Sequence, residues 1–135
     1  MEQAVRRGHA AEVARLLAAG ADPEQPIGEY RETTPLCSAA ASGHTAVVRV
    51  LLEAGVHPDA RNRLGHLPLV LAATAGRYGH PSTVDLLLDA GADIEARTRG
   101  RTALEWAEGF GLAETVRRLR GREAQCAGAG SPQPE

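Results

Sequence analysis

The sequence contains no lysine: its fifteen Lys-or-Arg positions are all arginine. In a chain this rich in Ala, Arg and Gly the absence reads as composition bias rather than as a functional signal. Aromatic residues are almost as scarce, with Trp106, Phe110, Tyr30 and Tyr78 the whole set. A core must therefore come from small aliphatic side chains, which suits tightly stacked helices better than a sandwich or barrel. Cys37 and Cys126 are far apart and specify no disulfide or metal framework. No apolar run approaches the roughly 20 residues of a membrane-spanning helix, and the N-terminus has no signal-peptide core. A cytoplasmic protein, or a nuclear one in a eukaryote, is expected, with no membrane contact. The net charge of -2 gives no global attraction to nucleic acid or acidic lipid.

What is present is a repeat. A glycine, a Val-x-x-Leu-Leu step and a second glycine appear as Gly8, Val13, Leu16, Leu17 and Gly20. They return as Gly43, Val48, Leu51, Leu52 and Gly55, and again as Gly79, Val84, Leu87, Leu88 and Gly91. A fourth copy opens at Gly111 with Val116 and Leu119 and then decays, so the starts lie 35, 36 and 32 residues apart. A second motif interleaves with the first, as Thr34-Pro35-Leu36, Leu67-Pro68-Leu69 and Thr102-Ala103-Leu104, each followed by small residues.

Each piece has a local meaning. Thr34 can cap a helix whose first position is Pro35, where no amide is needed. Leu and Ala then make a narrow apolar face. Gly43 and Gly79 break the chain, Val-x-x-Leu-Leu gives a second helix an apolar stripe, and Gly20, Gly55 and Gly91 suit its left-handed end. The polar stretch that follows can project as a finger. One such unit cannot bury its own apolar face, so units must stack. The fold expected is an all-α solenoid of four helix-turn-helix units with β-hairpin-like fingers. It occupies residues 1–122, with repeats near 1–30, 31–65, 66–99 and 100–122, and residues 123–135 form a disordered tail. Arg6, Glu12 and Arg15 would cap one end, and Glu114, Arg117, Arg118 and Arg120 the other.

These residues resemble the ankyrin repeat, whose signature runs Thr-Pro-Leu-His-x-Ala-Ala-x-x-Gly-His, a Val-x-x-Leu-Leu helix, then Gly-Ala-Asp. The second copy reads Thr34-Pro35-Leu36-Cys37-Ser38-Ala39-Ala40-Ala41-Ser42-Gly43-His44, and Gly-Ala-Asp is intact at residues 20–22 and 91–93. Cys37, Val70 and Glu105 replace the signature His, so its hydrogen bonds are missing or re-made. The first finger has about two extra residues, the third repeat about three near Gly76-Arg77-Tyr78, and the last finger is one short.

Nothing assembles a catalytic site. His9, His44 and His80 follow the inter-helix glycines and are explained by the repeat; His57 and His66 lie in a finger. Cys37 reads as a packing residue. No phosphate loop or metal-ligand spacing occurs, so no enzyme activity, cofactor or metal is expected. The resemblance implies partner-protein binding on a concave face of first helices and fingers. The variable outward positions there are Arg61, Arg63, Leu64 and His66, then Arg97, Arg99 and Arg101, with Arg77, Tyr78 and Phe110. Five of these arginines fall in two adjacent fingers, whereas the first finger carries Glu24, Glu29 and Glu32. A monomer with a basic groove for an acidic partner segment is expected. Trp106 reads as core. Nucleic-acid binding through the same arginines is the alternative, and the net charge and few exposed aromatics speak against it. Four-repeat length loosely resembles the cyclin-dependent kinase inhibitors, which suggests blocking of an enzyme, but the ordinary helix from Pro35 to Ser42 departs from that group.

Overall fold

The inner helices begin where a side chain or proline meets the needs of an unpartnered first turn. Thr34 accepts a hydrogen bond from the Cys37 amide at 3.1 Å and Pro35 opens α3 (Pro35–Ser42). Pro68 opens α5 (Pro68–Thr74). Thr102 and Glu105 close a reciprocal capping box on α7 (Ala103–Gly109). With α1 (Glu2–Arg7), these four form the inner layer. The outer layer is α2 (Ala10–Ala18), α4 (Thr45–Glu53), α6 (Pro81–Asp89) and α8 (Ala113–Gly130). The computed structural model describes residues 1–76 and 79–130, with side chains described through residue 124.

Each helix pair closes the same way. The amides of His9, His44, His80 and Leu112 donate to the carbonyls of Ala4, Ala39, Ala72 and Ala107. The third repeat keeps this closure despite its extra residues, because α5 stops at Thr74 and the insertion lies before His80. Outer helices end on glycines at φ of 100–104°, at Gly20, Gly55 and Gly91, a conformation other residues adopt only at a cost.

Packing runs within a pair and between adjacent pairs, α1 on α3 on α5 on α7, and α2 on α4 on α6 on α8. Leu36, Leu51, Leu69, Leu87 and Leu119 are fully buried between layers, and Ala39, Ala40, Ala72, Ala73 and Ala107 let the inner helices approach. Each leucine so buried contributes about 1.5–3 kcal/mol.

The fingers differ from one another. The third is a hairpin of β1 (Arg97–Thr98) and β2 (Arg101–Thr102), with Arg97 opposite Thr102. Its turn residues, Arg99 and Gly100, have φ of 54° and 82°. The first has the single bridge Ile27 to Thr33. The second is closed by Asn62, whose Oδ1 accepts from the amides of Leu64 and His66, both at 3.0 Å.

Two expectations change. The last helix passes residue 122 and runs to Gly130. Residues 122–127 hold no proline, and Arg122 is tied to Asp89 on α6 at 2.7 Å, so the helix has reason to continue. Residues 131–135 of the expected tail lie outside the described residues. The second change, at Trp106, bears on the site.

Candidate protein-binding face

The expected site residues divide into those that hold the fingers together and those that face outward. Arg61 belongs to the first kind. Its guanidinium donates to the Gly65 carbonyl at 2.9 Å and to the Arg97 carbonyl, one repeat on, at 2.8 Å. Arg97 likewise donates to the Gly100 carbonyl at 2.8 Å and to the Glu105 carboxylate at 3.3 Å. Two of the five finger arginines thus brace backbone.

The other three are available. Arg63 and Arg99 are exposed and make no side-chain hydrogen bond or ion pair with the described residues. The guanidinium of Arg101 sits 5.5 Å from the Trp106 ring centre, a cation–π contact worth about 0.5–1 kcal/mol at an exposed site. Arg99 holds its place at a cost: its positive φ is left-handed backbone, unfavourable by roughly 1–2 kcal/mol for a side chain with a Cβ.

Trp106 packs against the edge of the core but is only partly buried, so it also belongs to the surface. It occupies the register position of Ser38 and Leu71, two residues beyond the Leu of the start motif, and that position faces the inner surface. Leu104, not Trp106, takes the core-facing place of Leu36 and Leu69. Trp106 is half-buried. Its Nε1 donates to the Thr98 carbonyl at 2.9 Å, while Thr98 Oγ1 accepts from the Leu67 amide at 3.3 Å. The ring is therefore fixed to the third finger, which is itself fixed to the start of α5. Phe110 stacks on it at 6.2 Å and 19°, and remains 62 % exposed.

Around this stack lies a shallow cleft of about 170 Å³ between α5, α7 and the third finger. Three of the proposed binding residues, His66, Arg99 and Phe110, line it; Val70 and Leu71, which had not been singled out, and Trp106, read as core, line it too. The register shared by Ser38, Leu71 and Trp106 is the signal that would have found two of them. Leu64 is 56 % exposed at the second finger and does not line the cleft. Arg77 and Tyr78 lie outside the described residues.

Cys37, in the place of the signature His, re-makes contacts to the finger. Its thiol donates to the carbonyls of His66 at 3.7 Å and Ala60 at 3.9 Å, and burial pushes its pKa up. That describes an inert packing thiol rather than a nucleophile. Among the described residues no group of three or more His, Cys, Asp or Glu could hold a metal. Among the described residues no helix is long and apolar enough to cross a membrane.

A family model for ankyrin repeats, in three copies, matches residues 1–98. The chain belongs to the ankyrin-repeat family. The fourth helix pair, α7 and α8, continues the stack beyond that match. The chain is also similar to the E3 ubiquitin-protein ligase KEG of Arabidopsis thaliana, 38 % identical over 80 residues, covering 56 % of this chain and 5 % of that one. Ankyrin repeat and SOCS box protein 16 of Mus musculus is 42 % identical over 69 residues, covering 51 % of this chain and 15 % of its own. The chain thus spans only a small part of either relative. Ankyrin repeats are generally protein–protein interaction modules and are typically non-catalytic.

Proposed function

We propose that this ankyrin-repeat protein binds an acidic segment of a partner protein on the inner face formed by α5, α7 and the second and third fingers. The observation that carries the reading is the trio Arg63, Arg99 and Arg101, which have no carboxylate partner among the described residues, beside the stack of half-buried Trp106 and exposed Phe110. Many arginines elsewhere are paired, among them Arg6 with Glu2, Arg117 with Glu114, Arg120 with Glu108 and Arg122 with Asp89, whereas Arg99 and Arg101 of the trio stand beside an aromatic cleft. Arginine and aromatic side chains are those enriched at interface hot spots, and a braced surface orders little on binding. The protein acts as a monomer in a reducing compartment such as the cytoplasm, blocking or tethering its partner without catalysis. The ion-paired end of the stack and the buried free thiol suit that setting.

The test is affinity capture with the wild type beside an Arg63→Glu, Arg99→Glu double variant of matched melting temperature. A protein captured by the first and lost by the second supports the reading. Equal capture by both moves the site elsewhere, for example to the acidic first finger. Nucleic acid captured by the wild type, with binding that falls steeply as salt rises, would replace it.

A further inference from the structure

We infer that the Trp106 cleft is an anchor pocket that admits one leucine- or phenylalanine-sized side chain of the partner, with carboxylates adjacent to that side chain held by Arg99 and Arg101. This rests on the acidic-segment reading above and assigns its specificity.

The walls of the cleft supply the argument. Leu71, Val70, Trp106 and Phe110 present carbon surface to it. On its apolar walls the polar groups are committed elsewhere, the Trp106 Nε1 proton to the Thr98 carbonyl and the Thr74 hydroxyl to the Val70 carbonyl at 2.8 Å; the His66 ring and the Arg99 guanidinium are its remaining polar lining. A polar side chain entering here would lose water and gain few partners, whereas an apolar one loses nothing. The size agrees. A cavity of roughly 150 Å³ holds one benzene ring, and this cleft is about 170 Å³.

The rim decides what flanks the anchor. Arg99 lines the cleft from the tip of the third finger with its guanidinium unpaired among the described residues, and Arg101 lies over the Trp106 ring. Charge complementarity therefore selects an apolar residue between Asp or Glu, rather than an apolar residue between cations or a second copy of this chain.

The chain has one tryptophan, so its emission reports the cleft directly. The probes are blocked pentapeptides of alternating Asp and Glu with Leu, Phe or Ala at the centre, and a Lys-flanked Leu control, titrated at low salt. Binding is read by an end label and by tryptophan emission. The Leu and Phe peptides should shift the emission saturably and bind at least about tenfold tighter than the Ala peptide. A Leu71→Ser variant should erase that difference, and Arg99→Glu should weaken all three acidic peptides. Should Leu and Ala peptides bind equally without moving the emission, the anchor fails and the acidic-segment reading stands. If no acidic peptide binds up to about 5 mM, or the Lys-flanked control binds as well, both readings fail.

Discussion

The imidazole of His80 lies over Gly43 of the preceding repeat, so close that a Cβ on that glycine would stand 2.7 Å from its Cε1. Its Nε2 donates to the Ala41 carbonyl at 3.1 Å. His44 repeats the arrangement on Gly8 and the Arg6 carbonyl. Each histidine thus latches its own repeat to the one before.

Gly43→Ala should be more destabilising than Gly55→Ala. Both glycines have positive φ, so both substitutions incur about 1–2 kcal/mol of backbone strain. A Cβ at Gly55 meets nothing within 4 Å, whereas one at Gly43 displaces the His80 ring and the hydrogen bond it makes, a further ~1 kcal/mol. In a His80→Ala background the two substitutions should cost the same. Urea unfolding of the wild type and the five variants, His80→Ala included, checks this.

Arg61→Ala should lower stability by about 1 kcal/mol through loss of its hydrogen bonds to the second and third fingers. Arg63→Ala should leave stability within about 0.5 kcal/mol of wild type. Partner affinity should show the opposite order once both proteins are fully folded. Paired unfolding and binding measurements separate the two roles.

Arg99→Gly should stabilise the fold while weakening partner binding. Glycine relieves left-handed strain of about 1 kcal/mol, and the variant removes a cation from the cleft rim. A higher unfolding midpoint together with lower affinity is the expected pair of results.

Cys37 should resist alkylation in the native state and react on unfolding, read in a Cys126→Ser background by mass spectrometry. It is wholly buried and its pKa is raised, first by desolvation. The sign of the linkage follows. The folded protein holds the proton to a higher pH than the unfolded chain, so the contribution is complete below the unfolded thiol's value. It is lost as pH rises beyond about 8.5. Cys37→Ala should flatten that alkaline decline.

At the C-terminal end, Glu108 stands where the interior repeats have Ala40 and Ala73, and Arg120 where they have Leu52 and Leu88. The two pair at 2.6 Å. Replacing both with the interior residues, Glu108→Ala with Arg120→Leu, should expose an apolar end and produce concentration-dependent self-association by size exclusion. An unchanged elution volume would deny the pair its capping role.

What the sequence made legible is what single repeats spell. Caps at Thr34 and Thr102, glycine breaks and leucine stripes are local, and they place nearly every helix. The site was read less well because its contacts are not local. Arg61 is committed to a carbonyl thirty-six residues away, which no motif within one finger reveals. Trp106 reads as core when it is taken to stand in for the core-facing leucine of the repeat. Its half-exposed place follows only when its register is matched to Ser38 and Leu71. Cys37 was legible as packing, since it takes a buried position in a recurring helix start.

Because the substantial helix contacts run only within a pair or to the next pair, the two ends of the molecule are mechanically coupled through every layer between them. Tension applied at the termini would be carried in series. The six-residue α1, anchored chiefly by the His44 ring and its contacts with α2 and α3, is the weakest link. Extension should begin there and proceed as discrete steps of one repeat, leaving the third-finger face intact until the force has stripped the first two.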